Sequence, residues 1–377
     1  MRVALDIQPV LSQRTGVGHY IFYLAKYLPS LGPSDEFVGL AFGRGSCDID
    51  ALRAPNFSVR RIGLIPRRAM GFLWKTLDWP PADAFTGPVD LFHFPSFVAR
   101  PLRSARAVVT IHDLAFKRMP EFSEPKNVTF LERLISPTLD RARLVLVDSE
   151  FTARELVDLY GYPREKIRVT YLGVGENFRP CHSPETDRVR SRHALPERFI
   201  LCVATFEPRK NLGTLLEAYA ILRREVEDCP ELVLVGGEGW GGEDGRIGRL
   251  IGKLKLEEAV IRRRYIGHEV LPALYSAACL FVFPALYEGF GLPPLEAMAC
   301  GTPVVCSDAA SLPEVVGDAA LLVPPRDAGR MAGAMKKLID DAVLRQELIR
   351  RGLDRAKRFT WTETARATLV AYREALR

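Results

Sequence analysis

The chain has 377 residues, a formal net charge of +6 and 47% hydrophobic residues, which is the composition of an ordinary globular protein long enough for two α/β domains. The seven cysteines are scattered without CxxC spacing, which argues against a zinc site or a disulfide framework. Residues 1–180 carry 24 Lys and Arg against 19 Asp and Glu, but no nucleic-acid-binding motif accompanies this charge, so we expect no nucleic-acid partner.

The N-terminal sequence predicts a strand at once, over residues 2–7, without the pattern of a signal peptide, and no apolar run reaches the length of a membrane span. We therefore expect a cytoplasmic location, with peripheral contact at the inner face of the membrane left open.

The first half of the chain predicts parallel strands separated by helices. Gly16 and Gly18 precede a helix that is predicted to end near residue 28. This pair of glycines either lets backbone amides face a phosphate or an acceptor, or forms a plain strand-to-helix turn. Ser149 is predicted to cap a helix over 150–160. Further strands are predicted over 37–42, 57–62, 89–94, 107–111, 143–148 and 167–171.

Two segments of this half allow more than one interpretation. Asp48 and Asp50 form an Asp-x-Asp triplet that resembles a metal site, but Asp is also a normal residue at a helix start. We interpret the triplet as a surface helix start and predict no catalytic metal. Residues 60–79 mix basic with apolar and aromatic side chains. They predict either a loop and helix packed on the first domain, or a surface that rests on an anionic membrane or holds a lipid-linked acceptor.

In the second half, the polar residues 181–196 suggest a linker. Strands are then predicted over 199–205, 231–236, 261–266 and 279–284. Arg209 and Lys210 follow the first of these strands, just before a predicted helix, and their charges suit a diphosphate.

The most informative segment is EGFGLPPLE at 288–296, followed by AMACGTPVV. Gly289 and Gly291 allow a sharp turn between a buried strand and a short helix, whose N-terminus attracts anions such as phosphate. Glu288 ends the strand side of the turn, and Glu296 is expected in the first turn of the helix. Because carboxylates accept hydrogen bonds from hydroxyls, the segment predicts a site for a nucleotide sugar.

This segment closely resembles the signature of the GT-B retaining glycosyltransferases of family 4, and the similarity extends over essentially the whole chain. The resemblance implies an α/β protein with two doubly wound parallel-sheet (Rossmann-like) domains facing an interdomain cleft. We expect an acceptor-binding domain over 1–175, a linker over 176–196 and a nucleotide-sugar-binding domain over 197–358. The C-terminal helix, 359–377, is expected to cross back to the first domain.

The resemblance also implies roles for individual residues. The catalytic set is His112, which would orient the sugar or the leaving group, Glu288, which would contact the sugar, and Lys210 and Arg209, which would neutralise the diphosphate. The donor-binding set is Glu296, which would hold the ribose, together with Gly289, Phe290, Gly291, Leu292, Gly267, His268, Gly16 and Gly18. Many relatives have Gly-Arg where this chain has Ala204 and Thr205, so whether Arg209 replaces the missing arginine is open.

The expected activity is transfer of a sugar from a nucleotide donor to a hydroxyl of a glycan or lipid-linked acceptor, with retention and without a cofactor or metal. Similarity to bacterial polysaccharide mannosyltransferases around 110–113 and 206–211 favours GDP-mannose, while UDP-sugars stay open. Two alternatives also stay open, namely a nucleotide-sugar epimerase or hydrolase on the same fold and a non-catalytic sugar-nucleotide-binding module.

Overall fold

The computed structural model describes residues 1–11, 16–43 and 52–377, so Asp48 and Asp50 lie outside the described residues. The chain divides into two compact units, of which the first consists of residues 1–117, 126–173 and 361–377 and the second of 118–125 and 174–360. Within the described ranges, no helix combines the length and apolar character needed to cross a membrane.

The strands and helices alternate along the chain. The strands are β1 (Arg2–Asp6), β2 (Glu36–Phe42), β3 (Phe57–Ile62), β4 (Leu91–Phe94), β5 (Arg106–Ile111), β6 (Ala142–Val147), β7 (Ile167–Val169), β8 (Phe199–Val203), β9 (Glu231–Val235), β10 (Val260–Arg263), β11 (Leu280–Phe283), β12 (Val304–Ser307) and β13 (Ala320–Val323). The helices are α1 (Gly16–Leu31), α2 (Arg67–Thr76), α3 (Ala115–Arg118), α4 (Pro125–Arg141), α5 (Glu150–Tyr160), α6 (Glu185–His193), α7 (Leu212–Glu225), α8 (Glu243–Leu254), α9 (Leu271–Ala277), α10 (Leu292–Ala299), α11 (Leu312–Val316), α12 (Ala328–Asp340), α13 (Ala342–Ala356) and α14 (Trp361–Ala375).

Each unit contains one parallel sheet. The strand order is β3-β2-β1-β4-β5-β6-β7 in the first unit and β10-β9-β8-β11-β12-β13 in the second. Central strands such as β4 and β11 are buried along their whole length, because helices cover both faces of a doubly wound sheet. The prediction of two Rossmann-like domains with parallel sheets is therefore confirmed.

Two helices differ from the sequence-based expectation. Helix α1 begins at Gly16 and ends at Leu31, so both glycines belong to its first turn rather than to a loop before it. The polar stretch interpreted as a linker contains helix α6, with Glu185 and Asp187 in its first turn and three basic residues in its last. This charge arrangement complements the helix dipole, which supports a helix that buries few apolar side chains.

The C-terminal helix α14 packs within the first unit. The ring of Trp361 stacks on Tyr23 with 4.7 Å between centroids. Near its other end, the Tyr372 hydroxyl lies 2.7 Å from Nδ1 of the buried His93. Arg168 on β7 donates from Nε to Glu374 at 2.8 Å. Aromatic, buried polar and charged contacts thus hold α14 on this unit.

Candidate donor site and its relatives

The predicted donor residues of the second unit follow the two strands at which the strand order of its sheet reverses. Arg209 and Lys210 come after β8, Glu288 comes after β11, and these two strands are neighbours in the sheet. The two loops are joined by a hydrogen bond of 2.9 Å from the amide of Leu286 to the carbonyl oxygen of Arg209. In open α/β sheets, ligands bind beyond the carboxyl ends of the strands at such a reversal.

Two cations and two carboxylates meet there, and we call Glu207, Arg209, Lys210 and Glu288 the charge cluster. Lys210 donates from Nζ to one oxygen of Glu288, and Arg209 Nη1 lies 3.5 Å from the other. Arg209 also donates from Nη2 to Glu207 at 2.8 Å. The four side chains are 12–18% exposed, so this balanced set of charges is only partly solvated.

The charge cluster decides the ionisation state of Glu288. Burial alone disfavours the carboxylate, but the positive charges of Lys210 and Arg209 outweigh it, so the pKa of Glu288 lies below its ordinary value. Glu288 is therefore ionised at neutral pH and able to accept hydrogen bonds from hydroxyls.

The loop that carries Arg209 and Lys210 is fixed by the next residue. Asn211 adopts left-handed backbone geometry with a φ of 57°, which Asn tolerates better than most residues. Its side-chain amide donates to the carbonyl oxygens of Pro284, at 3.0 Å, and of Pro325, at 2.6 Å. Asn211 thereby ties the loop after β8 to the loop after β11.

Glu296 lies on α10 in a different environment. The helix begins at Leu292 and has no acidic residue in its first turn, so the prediction that Glu296 belongs to that turn is wrong. The Tyr275 hydroxyl donates to its Oε2 at 2.9 Å, and Nε2 of His268 lies 4.0 Å from its Oε1. The rings of His268 and Phe178 pack in a T-shaped arrangement, with 4.9 Å between centroids. Burial, opposed only by the hydrogen bond from Tyr275, raises the pKa of Glu296 to about 7.

The glycine-rich turn between the two carboxylates is closely packed. Gly291 has a φ of 113°, which strains any residue with a Cβ, and a Cβ at this position would lie 2.6 Å from a methyl carbon of Leu312 and displace it. The side chain of Phe290 is buried against Phe359, which leaves its backbone as the part able to contact a ligand. Because prolines at 293 and 294 have no amide hydrogen, amide donors at this end of α10 come from residues 289–292.

In the first unit, His112 follows β5 and is buried between the ends of the neighbouring strands. Its Nε2 donates to the carbonyl oxygen of Pro95 at 2.9 Å, and its Nδ1 lies 2.7 Å from Oδ2 of Asp148. Burial favours the neutral imidazole, but the Asp148 carboxylate outweighs it and raises the pKa of His112. Both ring nitrogens are thus occupied, so a direct bond to a sugar requires the ring to release a partner. The role of His112 stays a prediction.

The structure also gives the positions of the remaining predicted residues. Gly16 and Gly18 form the first turn of α1 in the first unit. Gly267 and His268 precede α9 in the second unit, close to Glu296. Donor contacts by these residues stay a prediction.

Sequence reasoning missed several partners of the predicted site residues. Glu207 lies in the same short motif as Arg209 and Lys210, so its opposite charge was the available signal. His112 follows β5, and Asp148 follows β6, which is the next strand in the sheet. Because the carboxyl ends of neighbouring parallel strands lie side by side, the strand ends were the available signal for this pair. Tyr275 had no such signal, because a tyrosine on an apolar helix resembles an ordinary core residue.

Comparison with known proteins places the chain in a family. The family model "Glycosyltransferase Family 4" matches residues 14–177, and "Glycosyl transferases group 1" matches residues 183–355. The chain is 33% identical to the O-antigen chain mannosyltransferase B of Escherichia coli, over 99% of this chain and 100% of that protein. The chain belongs to glycosyltransferase family 4.

Other relatives and solved structures agree with this assignment. The serotype-specific mannosyltransferase WbdA of Escherichia coli is 33% identical over 63% of this chain and 29% of that protein. The sucrose-phosphate synthase of Thermosynechococcus elongatus has a TM-score of 0.75 at 24% identity, with 99% of this chain and 98% of that one covered. WaaG, a glycosyltransferase involved in lipopolysaccharide biosynthesis, has a TM-score of 0.72 at 16% identity, with 98% and 99% covered. The solved structures give the fold as GT-B. The family models and the full-length relative show that the chain is a glycosyltransferase.

Proposed function

We propose that this glycosyltransferase moves mannose from GDP-mannose to a hydroxyl of a growing bacterial polysaccharide, with retention of the anomeric configuration. The observation that carries the proposal is the full-length similarity to an O-antigen chain mannosyltransferase. The charge cluster supports it, because it combines cations suited to a diphosphate with an ionised carboxylate suited to sugar hydroxyls.

In the proposed reaction, the bond between the anomeric carbon and the diphosphate breaks, and a bond from the acceptor oxygen to that carbon forms. The acceptor hydroxyl passes its proton to the departing diphosphate oxygen, and GDP leaves. We expect the diphosphate to take over part of the hydrogen bonding of Lys210 and Arg209, which frees Glu288 to accept from the sugar. Groups already in place at the developing charge stabilise such a transition state without reorganisation.

The nucleoside end of the donor is assigned to Glu296. Its carboxylate is proposed to accept hydrogen bonds from the ribose hydroxyls, while Tyr275 orients it from the other side. Replacing Glu296 with Ala should weaken donor binding by roughly 1.5–3 kcal/mol, which is the typical contribution of hydrogen bonds to a charged group. An unchanged dissociation constant would remove Glu296 from the donor site.

The proposal is tested by incubating the protein with labelled GDP-mannose or UDP-sugars and with polysaccharide or lipid-linked acceptors. The proposal is supported if mannosyl transfer is lost in Lys210→Ala but kept in Lys253→Ala. The second variant is a control, because it removes an exposed lysine of the same unit. Release of free nucleotide without an acceptor points to a hydrolase or epimerase, and binding without turnover points to a binding module. NMR of the product linkage decides between retention and inversion.

Metal independence is part of the proposal, because Lys210, Arg209 and the amides of residues 289–292 are assigned to the leaving diphosphate. Transfer is expected to continue unchanged in excess EDTA. Strict dependence of transfer on manganese or magnesium would contradict this part. If the double variant Asp48→Asn, Asp50→Asn also lost that activity, the metal would be assigned to this triplet.

We also propose that residues 60–79 contact an anionic membrane. Phe72, Leu77 and Trp79 are each at least 60% exposed, whereas Met70 is buried in the core. Exposed basic residues accompany them, namely Arg60, Arg61, Arg68 and Lys75. Each basic side chain near an anionic leaflet contributes about 1 kcal/mol, so the segment would give reversible attachment.

The membrane proposal is tested by sedimentation with anionic vesicles at low salt. Replacing Arg60, Arg61, Arg67 and Arg68 with Ser should abolish sedimentation and leave donor binding intact. If the wild-type protein stays in the supernatant, the membrane contact is wrong and a soluble acceptor is favoured.

A further inference from the structure

A cavity lies in the first unit at the amino ends of the sheet strands, whereas His112 lies at their carboxyl ends. The cavity has a volume of about 670 Å³ and lies at the amino ends of β5 and β6. These strands have six residues each, so the cavity is roughly 20 Å from His112 along the strand direction. The distance separates it from the residues assigned to the transferase reaction.

The lining of this cavity is strongly basic. Its charged lining residues are Arg100, Arg106, Arg141 and Arg143, with Asp78 and Asp140. Two of the arginines are anchored, since Arg141 pairs with Asp78 and Arg106 donates to the carbonyl oxygen of Ala375 at 2.7 Å. Positive charge therefore exceeds negative charge in a space of the size that small-molecule ligands occupy.

The other two arginines make no hydrogen bond or ion pair with any residue that the structure describes. The guanidinium of the half-buried Arg100 stacks over the ring of Trp74, with 5.0 Å to the centroid, which holds it in place without neutralising it. Burial lowers the pKa of Arg100, and the nearby Arg141 lowers it further against the effect of Asp6 and Asp78. The nearby carboxylates thus do not fully balance the positive charge of Arg100, and a bound anion would stabilise the charged guanidinium.

The backbone at Arg143 is irregular in a way that exposes this side chain. Ala107 pairs with Ala142 and Val108 pairs with Leu144, so Arg143 is the extra residue of a bulge in β6. It is exposed, while the other residues of the strand are buried. Bulges redirect side chains and are frequent beside functional sites.

We propose that this cavity binds the phosphate or diphosphate group of a small molecule, held by Arg100 and Arg143. Guanidinium groups match phosphate oxygens with two parallel hydrogen bonds, and phosphate is the anion that this geometry and charge favour. The ligand is either a free phosphorylated compound or the headgroup of an anionic lipid, because both offer the same chemistry.

The experiment follows the fluorescence of Trp74 during titration with inorganic pyrophosphate, because Arg100 lies on its ring. A saturable change is expected in the wild-type protein, and it should be absent in Trp74→Phe. Arg143→Gln should weaken binding roughly tenfold, as expected for the loss of one charge-assisted contact. Arg103→Gln is the matched control, since it removes an exposed arginine outside the cavity and should leave the affinity unchanged.

A second series replaces pyrophosphate with vesicles of phosphatidylglycerol or of phosphatidylcholine. A response to pyrophosphate identifies a free phosphorylated ligand, and a response only to phosphatidylglycerol identifies a lipid headgroup. Either response supports the proposed site, provided that Arg143→Gln weakens that response. The response should persist in Lys210→Gln, which separates this cavity from the donor site. The absence of a Trp74 response to both probes, or equal affinity in Arg143→Gln and the wild type, would overturn the proposal.

Discussion

Glu288 and Glu296 belong to one short sequence motif, yet their surroundings in the second unit push their pKa values in opposite directions. Glu288 contacts Lys210 and Arg209, and these charges lower its pKa despite burial. Glu296 is equally buried but has a neutral donor, Tyr275, as its hydrogen-bonding partner, and its pKa rises to about 7. Sequence spacing places two carboxylates near one turn, whereas the neighbouring side chains decide which of them is ionised.

The two carboxylates therefore contribute to stability with opposite signs of pH dependence. Glu288 has a lowered pKa in the folded protein, so its contribution is present above the pKa of the unfolded chain and is lost as the pH falls. Glu296 has a raised pKa, so the folded protein retains a proton that the unfolded chain has released. Its contribution declines as the pH rises from about 4.5, the ordinary value, to about 7.

The largest expected effect comes from removing the cation that contacts Glu288. Lys210→Ala leaves a largely buried carboxylate with Arg209 and should lower the free energy of unfolding by about 3 kcal/mol. The rate of sugar transfer should fall by roughly 10²–10³-fold, as when one stabilising donor of a transition state is lost. Chemical denaturation and initial rates measure the two effects separately.

The control for this change is the double variant Lys210→Ala, Glu288→Gln. Neutralising the carboxylate should recover much of the stability without recovering activity. If the single variant is as stable as the wild type, the charge cluster does not have the energetic role given to it here.

A second prediction concerns the pH dependence of stability at Glu296. Between pH 4 and pH 8, the wild type should lose about 3 kcal/mol of unfolding free energy relative to Glu296→Gln. The loss follows from the raised pKa of the carboxyl in the folded protein. Denaturant melts at several pH values give this difference. A flat profile would mean that the carboxyl titrates normally and that burial does not control it.

The smallest effect is expected from the hydrogen bond that Tyr275 donates. Tyr275→Phe should destabilise the protein by about 1 kcal/mol at neutral pH, which is the typical net contribution of one hydrogen bond. Because this bond favours the ionised carboxylate, its loss should raise the pKa of Glu296 further. The titration midpoint, followed by NMR of the labelled carboxyl carbon, should therefore move upward, and a downward shift would contradict the assignment.

Much of the fold was predictable because apolar runs mark buried parallel strands, and the predicted helix over 150–160 with its Ser149 cap is present as Glu150–Tyr160. Helix α1 begins earlier than predicted, because two close glycines are typical of a turn but are also tolerated in a first helical turn. Helix α6 was missed because its sequence is polar and lacks apolar periodicity, and only its charge distribution indicates a helix.

The candidate site was predictable to a different degree. The positions of Glu288, Arg209 and Lys210 followed from the motif and its predicted strand ends, whereas Glu296 lies further along α10 than predicted. Their pairing and protonation did not, because these depend on residues far away in sequence, such as Tyr275 for Glu296. Likewise, the position of His112 at a strand end was predictable, but the occupation of both its ring nitrogens was not.

The most direct test of the contrast between the two carboxylates is the dissociation constant of GDP-mannose as a function of pH, measured by calorimetry between pH 6 and pH 8. If the ionised form of Glu296 holds the ribose, affinity in the wild type should fall as the pH drops through about 7, approaching tenfold per pH unit below it. Glu296→Gln should bind more weakly and show no such dependence. Equal affinity and equal pH profiles in the two proteins would contradict the account.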